Sequence, residues 1–105
     1  MGLQVSQLPE ALDCVQPGWW PILDELHADL IQLDPEYGLG GIKEKFGGLR
    51  VHLSTYGSPE IWAAINKAEM KSYDTCEFCG APGEPRRPKK YPAGWIRTVC
   101  EVCWT

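Results

Sequence analysis

Cys76-Glu77-Phe78-Cys79-Gly80 and Cys100-Glu101-Val102-Cys103 contain two cysteine pairs of the same C-x2-C form, separated by residues 80–99. Two residues between the cysteines of a pair let a tight turn aim both sulfur atoms at one ion, and the glycine after the first pair eases the backbone turn. This spacing is typical of a metal site with four thiolate ligands. The sequence therefore predicts that one ion is bound by Cys76, Cys79, Cys100 and Cys103.

The predicted ion is a single structural Zn2+. Four thiolates fill the tetrahedral shell of zinc and leave no position for water or substrate, which favours a structural over a catalytic role. An iron centre uses the same ligands and stays open as an alternative. Disulfides are typical of secreted proteins, but the first ten residues contain no Lys or Arg. We therefore expect a cytoplasmic protein with reduced thiols.

The paired cysteine turns resemble those of zinc ribbons and treble-clef modules, and the resemblance covers residues 75–105. It implies the metal ligands only. Because the second pair is followed by just Trp104 and Thr105, there is no room for the helix that follows in a treble clef, and a ribbon is the better match. Together with Gly18-Trp19-Trp20-Pro21 and the KEKFGGLR stretch at 43–50, the cysteines also resemble small, mostly uncharacterised proteins of bacteria and phages. That resemblance brings no established activity.

Upstream of the cysteines the apolar pattern predicts a helix, a β-hairpin and a second helix. Leu23, Leu26 and Leu30 recur at helical spacing, and Pro35 should end that helix. Two short segments at 39–46 and 49–56 flank Gly47-Gly48, a dipeptide suited to a tight turn, and the second segment alternates between apolar and polar residues. A second helix should begin at Ser58-Pro59-Glu60 and run to about residue 73 with Trp62 in the core.

These elements predict one α+β domain of 105 residues. It has three parts, an irregular lead-in at 1–17, a helix-hairpin-helix core at 18–73, and a zinc-binding part at 74–105. The last part should add a small hairpin through Trp95 to Val99. No stretch approaches the roughly 18–20 apolar residues that span a bilayer, so we expect no membrane segment.

Charge is divided unevenly along the chain. Residues 1–70 contain four basic and ten acidic residues, and the formal net charge of the chain is -4. The lopsided charge and the lack of a catalytic motif favour a non-enzymatic module that binds a basic partner protein and no small-molecule substrate. A narrower hypothesis is a phage-encoded inhibitor of a bacterial defence complex, of the anti-CRISPR kind. The predicted partner-binding residues are Asp24, Glu25, Asp29, Asp34 and Glu36, with Trp19 and Trp20 as exposed anchors.

The alternative function is a zinc ribbon that binds nucleic acid. A basic stretch between the cysteine pairs is interleaved with aromatic residues, a pattern that can hold single strands. It contains Arg86, Arg87, Lys89, Lys90 and Arg97. The hairpin carries a second candidate basic surface with Lys43, Lys45, Arg50 and His52, for which a solvated face is an equally good interpretation. The net acidity weighs against nucleic acid as the main partner.

Overall fold

The computed structural model describes residues 6–87 and 96–104. Two short 3₁₀ helices at Leu8–Cys14 and Pro17–Trp19 come first. They are followed by α1 (Trp20–Leu33), β1 (Leu39–Lys45), β2 (Gly48–Leu53), α2 (Pro59–Ser72), β3 (Glu84–Arg86), β4 (Arg97–Val99) and α3 (Glu101–Trp104). This is the predicted α+β order of helix, hairpin, helix and C-terminal cysteine region. Among the described residues, no helix has both the length and the apolarity to cross a membrane.

Both long helices lie where the apolar spacing predicts them. In α2 the Ser58 Oγ accepts the N–H of Ile61 at 3.3 Å, and Pro59 occupies the first turn. Ile61, Ile65 and Ala68 form the buried stripe of α2. Trp62 is 46% exposed, so its predicted place in the core is wrong. It follows the first residue of that stripe directly, and one residue turns a helix by about 100°.

The β1–β2 hairpin turns one residue earlier than predicted. Lys45 pairs with Gly48, which leaves Phe46 and Gly47 at the turn with φ values of 52° and 86°. Positive φ at both central residues is the requirement of a type I′ turn. Gly48 instead lies under the Tyr73 ring, where a Cβ would come within 2.3 Å of ring atoms. Both glycines are therefore needed, but only Gly47 serves the turn.

The outer edge of β2 is bonded to α2. The Leu49 N–H donates to Ser72 Oγ and the Val51 N–H to Glu69 Oε2, both at 2.9 Å. A sheet edge left open would invite pairing with other strands, and side chains from α2 satisfy these two groups. The polar residues of α2 thus fix its position along the hairpin.

The lead-in is more ordered than predicted. Residues 1–5 lie outside the described part, but Leu8–Cys14 forms a 3₁₀ helix that contacts both α1 and β1. Leu8 is fully buried, and its N–H donates to Tyr37 Oη at 2.9 Å. Gln7 Nε2 adds hydrogen bonds to the carbonyl oxygens of Pro35 and Tyr37 at 3.0 Å. These contacts come from residues distant in sequence, so the local pattern does not reveal them.

Candidate metal centre

Four sulfur atoms converge at the C-terminal end. The Sγ atoms of Cys76, Cys79, Cys100 and Cys103 all lie within 4.8 Å of one another, and those of Cys79 and Cys100 are 3.6 Å apart. A tetrahedral zinc with Zn–S bonds near 2.3 Å requires S···S separations of about 3.8 Å. The arrangement therefore fits one tetrahedrally coordinated ion. Cys14, the fifth cysteine of the chain, is exposed on the first 3₁₀ helix.

The first pair of ligands sits in a tight turn after α2. The Cys76 N–H donates to the Ala81 carbonyl at 2.7 Å, and the Gly80 N–H donates to the Cys76 carbonyl at 2.9 Å. Gly80 has a φ of 84°, a backbone conformation that residues with a side chain rarely adopt. The glycine after Cys79 thus closes the turn that aims both sulfurs inward.

The second pair lies at the junction of β4 and α3. β4 pairs antiparallel with β3, from Glu84 opposite Val99 to Arg86 opposite Arg97, so the predicted small hairpin is present. Its predicted start at Trp95 lies outside the described residues. α3 begins between the two cysteines, and the Cys103 N–H donates to Cys100 Sγ at 3.4 Å.

The four thiols cannot all lose their protons easily in the absence of a cation. The N–H of Cys103 lowers the pKa of Cys100 to about 7, whereas burial and the neighbouring thiols raise the pKa of Cys103 to about 12. One thiolate formed in the cluster disfavours the next, because like charges repel at this distance. A divalent cation removes that conflict, since it stabilises all four deprotonated sulfurs together. The donor set therefore suits a metal ion better than four free thiols.

An ion pair lies beneath the cluster. Glu77, between the first two ligands, is 1% exposed. Its Oε1 accepts from Arg97 Nη1 at 2.7 Å, and its Oε2 accepts the N–H of Gln16 at 3.5 Å. Burial raises the pKa of Glu77, and Arg97 opposes that shift. The pair links β4 to the first cysteine turn and to the segment before α1.

Backbone contacts dock the cysteine region on the rest of the chain. The Gly18 N–H donates to the Glu77 carbonyl at 2.7 Å, and a Cβ on Gly18 would lie 2.1 Å from the Cys76 carbonyl oxygen. At the other side Thr98 Oγ1 donates to the Gly47 carbonyl at 2.6 Å. The cysteine module, defined as residues 74–87 and 96–104, is therefore held by both the lead-in and the hairpin turn.

Trp19 and Trp20, predicted as exposed anchors, have a structural position. Trp19 is fully buried, which contradicts that prediction, and its Nε1 donates to the Thr75 carbonyl at 2.9 Å. Trp20 is half-buried, and its Nε1 donates to the Leu12 carbonyl at 2.7 Å. The two side chains tie the start of α1 to the cysteine module and to the lead-in.

Glu25, one of the predicted partner-binding acids, has partners within the chain. Its Oε1 lies 2.7 Å from Lys71 Nζ and 3.7 Å from Lys67 Nζ on α2. The hydrogen bond and charge of Lys71 hold the pKa of Glu25 below its usual value. This acid therefore joins α1 to α2.

The other predicted acids lie on α1 and the turn that follows it. Asp24 and Glu36 are exposed, whereas Asp29 and Asp34 are half-buried. Asp34 Oδ1 accepts the N–H of Glu36 at 3.0 Å, so these two acids are adjacent at the end of the helix. We call the set Asp24, Asp29, Asp34 and Glu36 the acidic surface.

Those predicted nucleic-acid residues that the structure describes, Arg86, Arg87 and Arg97, do not form one open basic surface. Arg97 is committed to buried Glu77, which contradicts its assignment to a binding loop. Arg86 contacts Glu84 at 3.6 Å and lies 5.2 Å from the centre of a Trp104 ring. Arg87 is exposed. Lys89 and Lys90 lie outside the described residues.

Sequence reasoning missed the residues that dock the module. Glu77 and Thr98 are polar residues close to the cysteines in sequence, and polar residues are usually exposed to solvent. Gly18 carried one usable signal, because a glycine directly before two bulky aromatic residues suggests a close backbone approach.

Comparisons with protein-family models, with curated proteins and with solved structures give no significant match.

Proposed function

We propose that this protein is a non-enzymatic, zinc-stabilised module that binds another protein. The observation that carries the proposal is the convergence of four cysteine sulfurs within 4.8 Å. Four thiolates complete the coordination of zinc, so the ion holds chain segments together and has no open site for substrate. A reduced, cytoplasmic setting belongs to the same proposal, because thiolates must stay free of disulfides to bind the ion.

The acidic surface is the proposed docking site for a basic partner protein. Its two exposed members are Asp24 on α1 and Glu36 in the turn after that helix, and both are available to a partner. Complementary charge speeds encounter and sets specificity. The narrower form of the proposal is a phage-encoded, anti-CRISPR-like inhibitor that occupies a basic groove of a defence complex. Its support is the acidic charge, which can take the place of nucleic acid in such a groove.

The test compares proteins captured from bacterial lysate by three forms of the chain. We expect wild type and Asp13→Asn to retain the same partner, and Asp24→Asn combined with Glu36→Gln to lose it. Asp13 is an exposed acid on the first 3₁₀ helix, outside the acidic surface, and serves as the control. Equal capture by all three forms, or no partner for wild type, would contradict the proposal.

A further inference from the structure

We propose that the outer face of the β1–β2 hairpin binds an extended, acidic segment of a partner protein. This basic hairpin face consists of Lys43, Lys45, Arg50 and His52. The inference rests on the proposed interaction function and adds a second binding surface, of opposite charge to the acidic surface on α1.

The strand register brings the basic residues together. Lys43 lies directly opposite Arg50, and Gly41 lies opposite His52. Side chains of neighbouring residues in a strand point to opposite faces of the sheet. Because Ile42 and Val51 are buried against the helices, the basic residues project from the other face.

The cations on this face lack acidic partners. Within 6–87 and 96–104, none of the ion pairs involves Lys43, Lys45 or Arg50, whereas Lys67 and Lys71 are both paired with Glu25. Like charges directly opposite each other destabilise an antiparallel pair. An anionic ligand over Lys43 and Arg50 would relieve that repulsion.

The face is open and partly preorganised. A Cβ on Gly41 would meet nothing within 4 Å among the described residues, so the sheet is uncovered there. Arg50 Nη1 donates to the Leu49 carbonyl at 3.1 Å, and its guanidinium lies 5.9 Å from the centre of the Tyr73 ring. A side chain held in this way loses little entropy when it binds a carboxylate.

The spacing of the cations fits an extended peptide. Lys43 and Lys45 are two residues apart in β1, a separation of about 6.8 Å along a strand. Alternate side chains of an extended partner have the same spacing, so its acidic residues can meet both lysines. A net charge of -4 for the chain and the few cations on this face favour a protein segment over nucleic acid, whose binding depends on neutralising many phosphates.

The test measures fluorescence anisotropy of a labelled peptide of alternating Glu and Ser. We expect wild type to bind it, more weakly as salt rises, and to ignore the matching Lys-Ser peptide. Lys43→Glu combined with Lys45→Glu should weaken binding about tenfold or more. The control is Lys67→Glu combined with Arg87→Glu, which makes the same change in net charge at exposed positions elsewhere. Circular dichroism and metal content verify that each variant is folded.

If wild type binds the Glu-Ser peptide, three further results would still overturn the inference. They are equal binding of the two peptides, unchanged binding by the Lys43→Glu, Lys45→Glu variant, and tighter binding of an oligothymidylate of equal charge, which would make nucleic acid the ligand. The acidic-surface variant Asp24→Asn, Glu36→Gln should bind the Glu-Ser peptide normally. Failure of the peptide to bind while lysate capture succeeds would remove this inference and leave the proposed function intact.

Discussion

The helix-hairpin-helix core and the cysteine module have interiors of different composition. The core buries a continuous set of leucines, isoleucines, valines and aromatic residues from the lead-in, α1, the hairpin and α2. Among the described residues of the module, the buried members of its apolar cluster are Cys76, Val99 and Cys100. Such a small apolar interior cannot offset the entropy of ordering the segment. The comparison teaches that apolar burial stabilises the core, whereas the module needs another source of stability, for which its four cysteines offer a metal site.

The two regions are nevertheless joined closely. Hydrogen bonds of buried Glu77 with Gly18 and Gln16 join the first cysteine turn to the lead-in. The hydrogen bond of Thr98 joins β4 to the hairpin turn. We therefore expect loss of the metal to disorder the module and to affect the core only at these points of contact.

The largest expected effect follows from removing one ligand. Cys100→Ser should abolish stoichiometric zinc binding and the fold of the module, because structural zinc contributes about 10–16 kcal/mol of apparent binding free energy in small zinc domains. Metal content and thermal unfolding measure the effect. Cys14→Ser changes an exposed thiol and is the control. If the Cys100→Ser variant kept zinc and the wild-type Tm, the claim that the cysteine module depends on metal binding would be contradicted.

A smaller but still large effect is expected from the buried ion pair. Arg97→Met leaves the Glu77 carboxylate without its cation and should cost about 3 kcal/mol in the free energy of unfolding. Adding Glu77→Gln to the same chain removes the stranded charge and should restore part of the loss. Urea unfolding of both variants measures this. An equal loss in the double variant would show that the unpaired Glu77 carboxylate is not the cause of the destabilisation.

Gly18→Ala tests the close contact between the regions. The new Cβ would lie 2.1 Å from the Cys76 carbonyl oxygen, so the two segments must separate, at a cost of about 1–3 kcal/mol. Gly41→Ala is the matched control, since nothing within 4 Å among the described residues obstructs its Cβ. In chemical denaturation, the free energy of unfolding of Gly18→Ala should be well below that of the control. Equal stabilities would refute the docking contact.

The smallest expected effect concerns the exposed ion pair of Glu25 and Lys71, which joins α1 to α2. The pKa of Glu25 is lowered below 4.5 when the protein is folded, so its contribution to stability is present above that value and is lost as pH falls through the lowered pKa. Because the side chain is 51% exposed, Glu25→Gln should cost less than about 0.5 kcal/mol at neutral pH. Unfolding measured against pH should show the two proteins converge in acid. If the difference in unfolding free energy between wild type and Glu25→Gln increased as the pH fell, the lowered pKa of Glu25 would be contradicted.

Local patterns in the sequence predicted much of the fold. Helical spacing places α1 and α2, the glycine dipeptide places the hairpin to within one residue, and the C-x2-C pairs place the four sulfurs. These features depend on neighbours in sequence or on one shared ion. The ion's identity remains part of the proposal.

The failures of prediction involve contacts between distant segments. Trp19 is buried because its indole meets the Thr75 carbonyl, and Arg97 is unavailable because Glu77 is buried beside it. Local sequence around Trp19 or Arg97 does not reveal these partners. The exposed position of Trp62 likewise depends on which stripe of α2 faces the hairpin and α1.

Hydrogen exchange with and without a zinc chelator tests the central claim most directly. After metal removal, we expect amide protection to be lost in 74–87 and 96–104 and to be retained in α1, α2 and the β1–β2 hairpin. Unchanged protection of the cysteine module in protein verified to be free of metal would contradict the claim that a cation is needed to hold this region.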